Sequence, residues 1–217
     1  MFVKVNGINI HYEVFGEGKP IILLHGNGEC YKIFDVLIDK LKANYKVYAI
    51  DSRCHGESDK TKEITYDLMC DDTIGFIKEL NIEKPILYGF SDGGIIGLLI
   101  AMKEPELLSN LIISGANLNP KACIKIDYIL GKIIYCITGS KLFRLMLTEP
   151  NIEPEELSKI IIPVHVLAGE KDIIKKEHTE LIANSIKNST LEIIPKENHG
   201  SYIVHSDKIY GIIEKYL

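Results

Sequence analysis

Two kinds of apolar pattern alternate along this chain. Short runs almost free of polar residues recur at 21–24, 47–50, 86–88, 111–113, 164–167 and 191–194. Runs of that length and style suit strands buried on both faces, as in a parallel sheet covered by helices. Between them lie stretches with helical spacing: Phe34, Leu37, Ile38 and Leu41, then Met69, Phe76, Ile77 and Leu80, and finally Ile209, Ile212, Ile213 and Tyr216. Separations of three, four and seven give each stretch one apolar face. The first residues differ, because 3–5 and 8–14 are extended runs around Asn6-Gly7, a pair that tolerates the positive φ angles of a tight hairpin turn. The expected fold is therefore α/β: a mostly parallel twisted sheet with an N-terminal antiparallel hairpin and helices on both faces.

One segment interrupts the alternation. Residues 118–158 carry a helical stripe of Ile126, Ile129, Leu130, Ile133, Ile134 and Ile137, followed by Leu142, Leu145 and Met146. They are expected to form a short helical lid inserted into one domain spanning 1–217. In the first part of this segment Lys121, Lys125, Lys132, Lys141 and Arg144 outnumber Asp127 and Glu149. A solvated helix face is the first reading of those cations, and attraction to a substrate or a membrane surface is the second.

Composition narrows the functional classes. A chain of 217 residues can bury roughly 70% of its unfolded surface, enough for an enzyme core. With 25 basic against 30 acidic residues the net charge is −5, which argues against a dedicated nucleic-acid binder. The five cysteines (Cys30, Cys54, Cys70, Cys123, Cys136) show no paired spacing, so reduced thiols and a cytoplasmic location are expected in place of a disulfide framework or a zinc ribbon. No apolar run approaches the ~20 residues of a membrane span, and the N-terminus lacks the basic end and apolar core of a signal peptide.

The candidate chemistry begins after the run at 86–88, at Gly89-Phe90-Ser91-Asp92-Gly93-Gly94, with a helical stretch behind it. A serine in a strand-to-helix turn presents its hydroxyl outward on strained backbone, and its flanks must be glycine for strand and helix to approach. Serine also needs a base, and the base an orienting acid. Among the seven histidines, His165 falls in an apparent buried strand, His178 and His205 in helical stretches, and His11 in the hairpin. His199 instead follows the last strand, at the sheet end that carries the serine. Asp172, just after the strand at 164–167, is the candidate acid, with Glu170 as the alternative. An oxyanion would take one N–H from Asp92 and one from Asn27, in the loop His25-Gly26-Asn27-Gly28 after the first buried strand.

Taken together, His25-Gly26-Asn27-Gly28, Asp51 to Ser58, Gly89 to Gly94, Gly169-Glu170-Lys171-Asp172 and Asn198-His199-Gly200 resemble the α/β-hydrolase superfamily from end to end. The order Ser91, Asp172, His199 is that fold's order. The loop from Asp51 to Ser58 looks like the family's D-x-R-G-x-G-x-S loop with Cys54 in place of glycine, so a local change of backbone is expected there. Ser91-Asp92-Gly93-Gly94-Ile95 and Ser114-Gly115-Ala116-Asn117 are similar to the biphenyl-hydrolase-like branch that includes valacyclovir hydrolase. That resemblance implies amino-acid esters as substrates and Asp92 as a substrate-amine contact; a helix-capping role for its side chain is the plainer alternative.

The implied activity is hydrolysis of small carboxylic esters through an acyl-enzyme, with no cofactor and no metal. Thioesters, lactones, C–C bonds and perhydrolysis are alternatives on the same residues. A dinucleotide-binding protein is the rival of another class, because Gly26-x-Gly28 with Asp51 after the next strand partly imitates its fingerprint. Tyr31 at the third glycine position and an unexplained Ser91 turn count against it. A non-catalytic ligand receptor is disfavoured because all three triad positions are filled. Since relatives of this fold resemble the chain but carry larger caps, a reduced lid, an open pocket and loose selectivity are expected.

Overall fold

The computed structural model describes residues 1–217. Eight strands form one sheet in the order β1-β2-β4-β3-β5-β6-β7-β8. They are β1 (Phe2–Val5), β2 (Ile8–Phe15), β3 (Lys19–Leu24), β4 (Tyr45–Ile50), β5 (Ile86–Phe90), β6 (Asn110–Ser114), β7 (Val164–Lys171) and β8 (Ser189–Asn198). The β1–β2 and β2–β4 pairings are antiparallel and all others parallel. The hairpin turns at Asn6 (φ +48) and Gly7 (φ +81). Every apolar run picked out in the sequence lies within a strand.

Helices cover both faces. On one side pack α1 (Asp35–Leu41) and α7 (Lys208–Ile213), and Phe34, Leu37, Leu41, Ile209 and Ile213 are fully buried there against Ile21, Leu23, Val47 and Tyr88. On the other side are α2 (Tyr66–Glu79), α3 (Asp92–Lys103) and α6 (Lys176–Ser185), closing a larger core that includes Ile22, Leu24, Phe76, Ile96, Ile113 and Ile182. β3 and β5 are buried throughout at their C-terminal halves, because helices lie above and below them. Four successive residues of one strand can then be apolar, which a half-solvated strand would not tolerate. The segment between β6 and β7 contributes α4 (Lys125–Thr138) and α5 (Lys141–Thr148).

The loop after β4 is held by one carboxylate. Asp51 Oδ1 accepts the Tyr31 N–H at 2.8 Å, and Oδ2 accepts the Glu57 N–H at 3.0 Å and lies 2.9 Å from His11 Nδ1. Buried Arg53 clamps Asp72 of α2 with two bonds of 2.7 and 2.8 Å, the fork geometry that suits a desolvated ion pair. The Cys54 backbone has φ +67, a left-handed conformation that favours glycine and that the cysteine adopts here. With both oxygens of Asp51 engaged by the protein, the dinucleotide reading loses its ribose ligand.

Candidate active site

The C-terminal ends of β3, β5, β7 and β8 meet at Ser91. Between β5 and α3 the chain reverses with Ser91 at φ +52, ψ −111, a conformation that L residues rarely adopt and that must be imposed by the surroundings. The imposition is visible at its flanks. A Cβ on Gly89 would sit 2.2 Å from the Gly93 carbonyl oxygen, and one on Gly93 would sit 2.1 Å from that of Leu24. The Gly93 N–H also donates to the His25 carbonyl, joining the turn to the end of β3.

His199, just past β8, places Nε2 3.1 Å from Ser91 Oγ and Nδ1 2.7 Å from Asp172 Oδ1. Phe90 packs against its ring at 5.0 Å. Space for the imidazole comes from Gly115 at the end of β6: a Cβ there would lie 2.7 Å from His199 Cε1. Asp172 is buried, and its Oδ1 also accepts the Ile174 N–H at 2.9 Å, which fixes the carboxylate. Its Oδ2 has no protein partner. Asp172 is not the cap of α6, whose N-cap residue is Lys175. Glu170, the alternative acid, is exposed and accepts the Lys196 N–H at 2.6 Å instead of approaching His199.

Neither Asn27 nor Asp92 gives its backbone N–H to a protein acceptor. Their side chains, however, bond each other: Asn27 Nδ2 donates to Asp92 Oδ2 at 2.9 Å and also approaches the Leu142 carbonyl at 3.4 Å. The Tyr66 hydroxyl donates to Asp92 Oδ1 at 2.7 Å. The capping alternative for Asp92 is therefore replaced by a buried network, and burial pushes its carboxyl above the usual range despite these two donors.

Sequence reasoning missed two neighbours. Tyr66 stands at the start of α2, far along the chain from its partner, and no local pattern announces it. Glu29 sends Oε2 to the Gly26 N–H at 3.0 Å, and burial raises its carboxyl as well. Its oxygen and Ser91 Cβ lie 2.7 and 3.2 Å from the position a Gly26 Cβ would take. The signal for Glu29 was its position directly after the Gly28 loop.

The other histidines are occupied elsewhere. His25 Nδ1 donates to the Gly26 carbonyl at 2.7 Å and Nε2 accepts the Ser52 N–H at 3.0 Å, so the ring is neutral, and burial together with nearby His55 lowers its pKa to about 4. His165 is only partly buried and stacks on Tyr216. His178 accepts the Leu118 N–H. His205 is not helical as expected; it sits in a turn before α7 at φ +50, 2.9 Å from Asp35.

A family model described as alpha/beta hydrolase fold matches residues 19–135. The chain belongs to the alpha/beta hydrolase fold family. Membership supports a hydrolase, and relatives span several chemistries. Human "Serine hydrolase BPHL" is 27% identical over 250 aligned residues, covering 99% of this chain and 85% of that protein. That alignment is longer than the chain, so the relative inserts residues that are absent here. Among solved structures, the meta-cleavage product hydrolase of Pseudomonas fluorescens IP01 superposes with a TM-score of 0.81 at 19% identity, covering 100% of this chain and 96% of the other. A thermophilic esterase from Thermogutta terrifontis gives 0.79 at 21%, with 99% and 95% covered. At such identities the likeness is one of fold, and this fold hosts more than one reaction. No helix is long and apolar enough to cross a membrane.

Proposed function

We propose that the chain is a serine hydrolase of small carboxylic esters, with Ser91 as nucleophile, His199 as general base and Asp172 as the acid that orients it. The observation that carries this reading is the hydrogen-bonded line Ser91 Oγ, His199 Nε2, His199 Nδ1, Asp172 Oδ1 at 3.1 and 2.7 Å. Asp172 holds the proton on Nδ1, leaving Nε2 free to take the serine proton as Oγ attacks the ester carbonyl. The N–H groups of Asn27 and Asp92 receive the oxyanion, and two donors without protein acceptors beside the nucleophile are suited to that task. His199 then protonates the leaving alcohol, and water, activated by the same ring, releases the acid from Ser91. Residues 118–158 serve as a reduced lid over this site within one domain.

A finer reading concerns Asp92. In the Asn27–Asp92–Tyr66 network a substrate ammonium replaces Asn27 Nδ2 as the donor to Asp92, which favours aminoacyl esters over simple ones. The similarity to the BPHL branch supports this, and both oxygens being already engaged makes the gain modest.

Labelling with a fluorophosphonate followed by peptide mapping tests the central assignment. Wild type is expected to carry the adduct on Ser91 and Ser91→Ala none; equal labelling of both would overturn it. Asp172→Asn is expected to keep the fold and lose about 10³–10⁴-fold in kcat, since the wrong imidazole tautomer would face Ser91. Unchanged activity there would overturn the role of Asp172.

A further inference from the structure

The aliphatic stripe of α4 points away from the protein. Ile124, Ile126, Ile129, Leu130, Ile133, Ile134 and Ile137 are 38–79% exposed, whereas the opposite side, with Tyr128, Gly131 and Tyr135, is turned inward. Gly131 is the only fully buried residue of the helix, and a Cβ on it would meet Leu147 of α5 at 3.7 Å. An amphipathic helix normally buries its aliphatic face; here the body takes the face with small and aromatic residues. A contiguous exposed patch of this kind marks a docking surface.

Charge selects the occupant. Lys125 and Lys132, seven residues apart, lie on one flank of the stripe, and Lys121, Lys141 and Arg144 stand on the adjoining segments. None of the five forms an ion pair, although eight other lysine or arginine side chains do. Residues 121–149 thus hold five cations against two carboxylates in a chain of net charge −5, so the remainder of the molecule is acidic. Two such faces would repel one another in a symmetric pair, and an anionic lipid surface would attract each. A solvated face accounts for the lysines and leaves the seven aliphatic side chains in water unexplained.

We propose that α4 docks on an anionic lipid surface, its aliphatic stripe entering the boundary between headgroups and acyl chains and its lysines lying at the phosphates. Its 14 residues make a helix about 21 Å long, lying in the plane of the surface instead of crossing it. The acidic body stays on the aqueous side. The α4–α5 unit reaches the site through the Leu142 carbonyl beside Asn27, so docking brings the approach to Ser91 to the interface, where an apolar ester partitions. The feet of the segment are fixed: Ile124 N–H bonds the Ile173 carbonyl, Lys175 N–H that of Ala122, and Tyr66 N–H the Glu149 carboxylate at 3.0 Å. Substitutions on the stripe therefore need not disturb the core.

Co-sedimentation with vesicles of phosphatidylcholine alone, and of phosphatidylcholine with phosphatidylglycerol, tests this on the full chain. Binding is expected to the anionic vesicles only, weakening at high salt. Ile133→Asp/Ile137→Asp and Lys125→Glu/Lys132→Glu are each expected to lower it about tenfold or more. Both variants should retain the wild-type melting temperature, and because vesicle binding is read without turnover, a failure here is distinguishable from a failure of the catalytic proposal. Equal binding to neutral and anionic vesicles, unaltered binding by the variants, or no binding would overturn it. So would a wild-type dimer in light scattering that Ile133→Asp/Ile137→Asp dissolves, which would assign the stripe to a second copy.

Discussion

The turn at Ser91 and the helix α4 are opposite answers to one question, namely what decides where a side chain points. At the turn, backbone atoms leave no choice: Gly89 and Gly93 sit where a single carbon would strike a carbonyl oxygen, and Ser91 is held at φ +52. At α4 the chain forms a regular helix whose aliphatic stripe finds no partner in the protein. Strain concentrated in a tightly packed place is what a preorganised reaction centre requires. An apolar face left open is what a surface meant for something else requires. One region is finished by folding and the other is completed from outside.

Substitutions can break that contrast. The largest effect on folding is expected from Gly93→Ala, since its Cβ would lie 2.1 Å from the Leu24 carbonyl oxygen; a loss of about 3 kcal/mol or more in urea unfolding would match a backbone clash in a core that cannot relax. Gly115→Ala should act on rate more than on fold. Its methyl would press on His199 at 2.7 Å, and a displaced base is expected to cost about 10²-fold in kcat, read from steady-state kinetics beside a thermal melt.

Acid is expected to attack the turn region specifically. His25 is fully buried and neutral, with a pKa lowered to about 4 by burial and by His55, against about 6.5 in the unfolded chain. The unfolded state then binds the additional proton, so stability is complete above pH 6.5 and falls as the pH drops toward 4, by up to about 3 kcal/mol. Denaturant titrations across that range check the slope, and His25→Asn should flatten it. The smallest effect belongs to α4: Ile137→Ser should change stability by no more than about 0.5 kcal/mol, because the side chain is already 79% exposed.

The same contrast explains what the sequence could and could not reveal. The runs at 21–24, 47–50, 86–88 and 111–113 are buried throughout and were legible because strands covered on both faces leave an unbroken apolar signature, whereas the run at 191–194 lies on the edge strand β8, where Leu191 is 38% exposed. Ser91, Asp172 and His199 were legible because each stands at a strand end, in an order tied to one fold. Periodicity identified the α4 stripe as helical, yet period alone is blind to which side of a helix the protein occupies. Tyr66 and Glu29 escaped because their roles arise only when α2 and the Gly26 loop are brought against the turn. Asp92 was read as a cap or an amine contact; a hydroxyl and an amide from distant positions engage its side chain, which takes the place of the cap. His205 looked helical by its neighbours but lies in a left-handed turn, which residue composition does not disclose.

The central claim is that Ser91 performs the chemistry, and it is tested most directly by comparing kcat/KM of wild type and Ser91→Ala on p-nitrophenyl acetate, with circular dichroism to establish that both are folded. A fall of about 10⁴-fold or more is expected from removal of the nucleophile. A folded Ser91→Ala protein within tenfold of wild type would contradict the assignment.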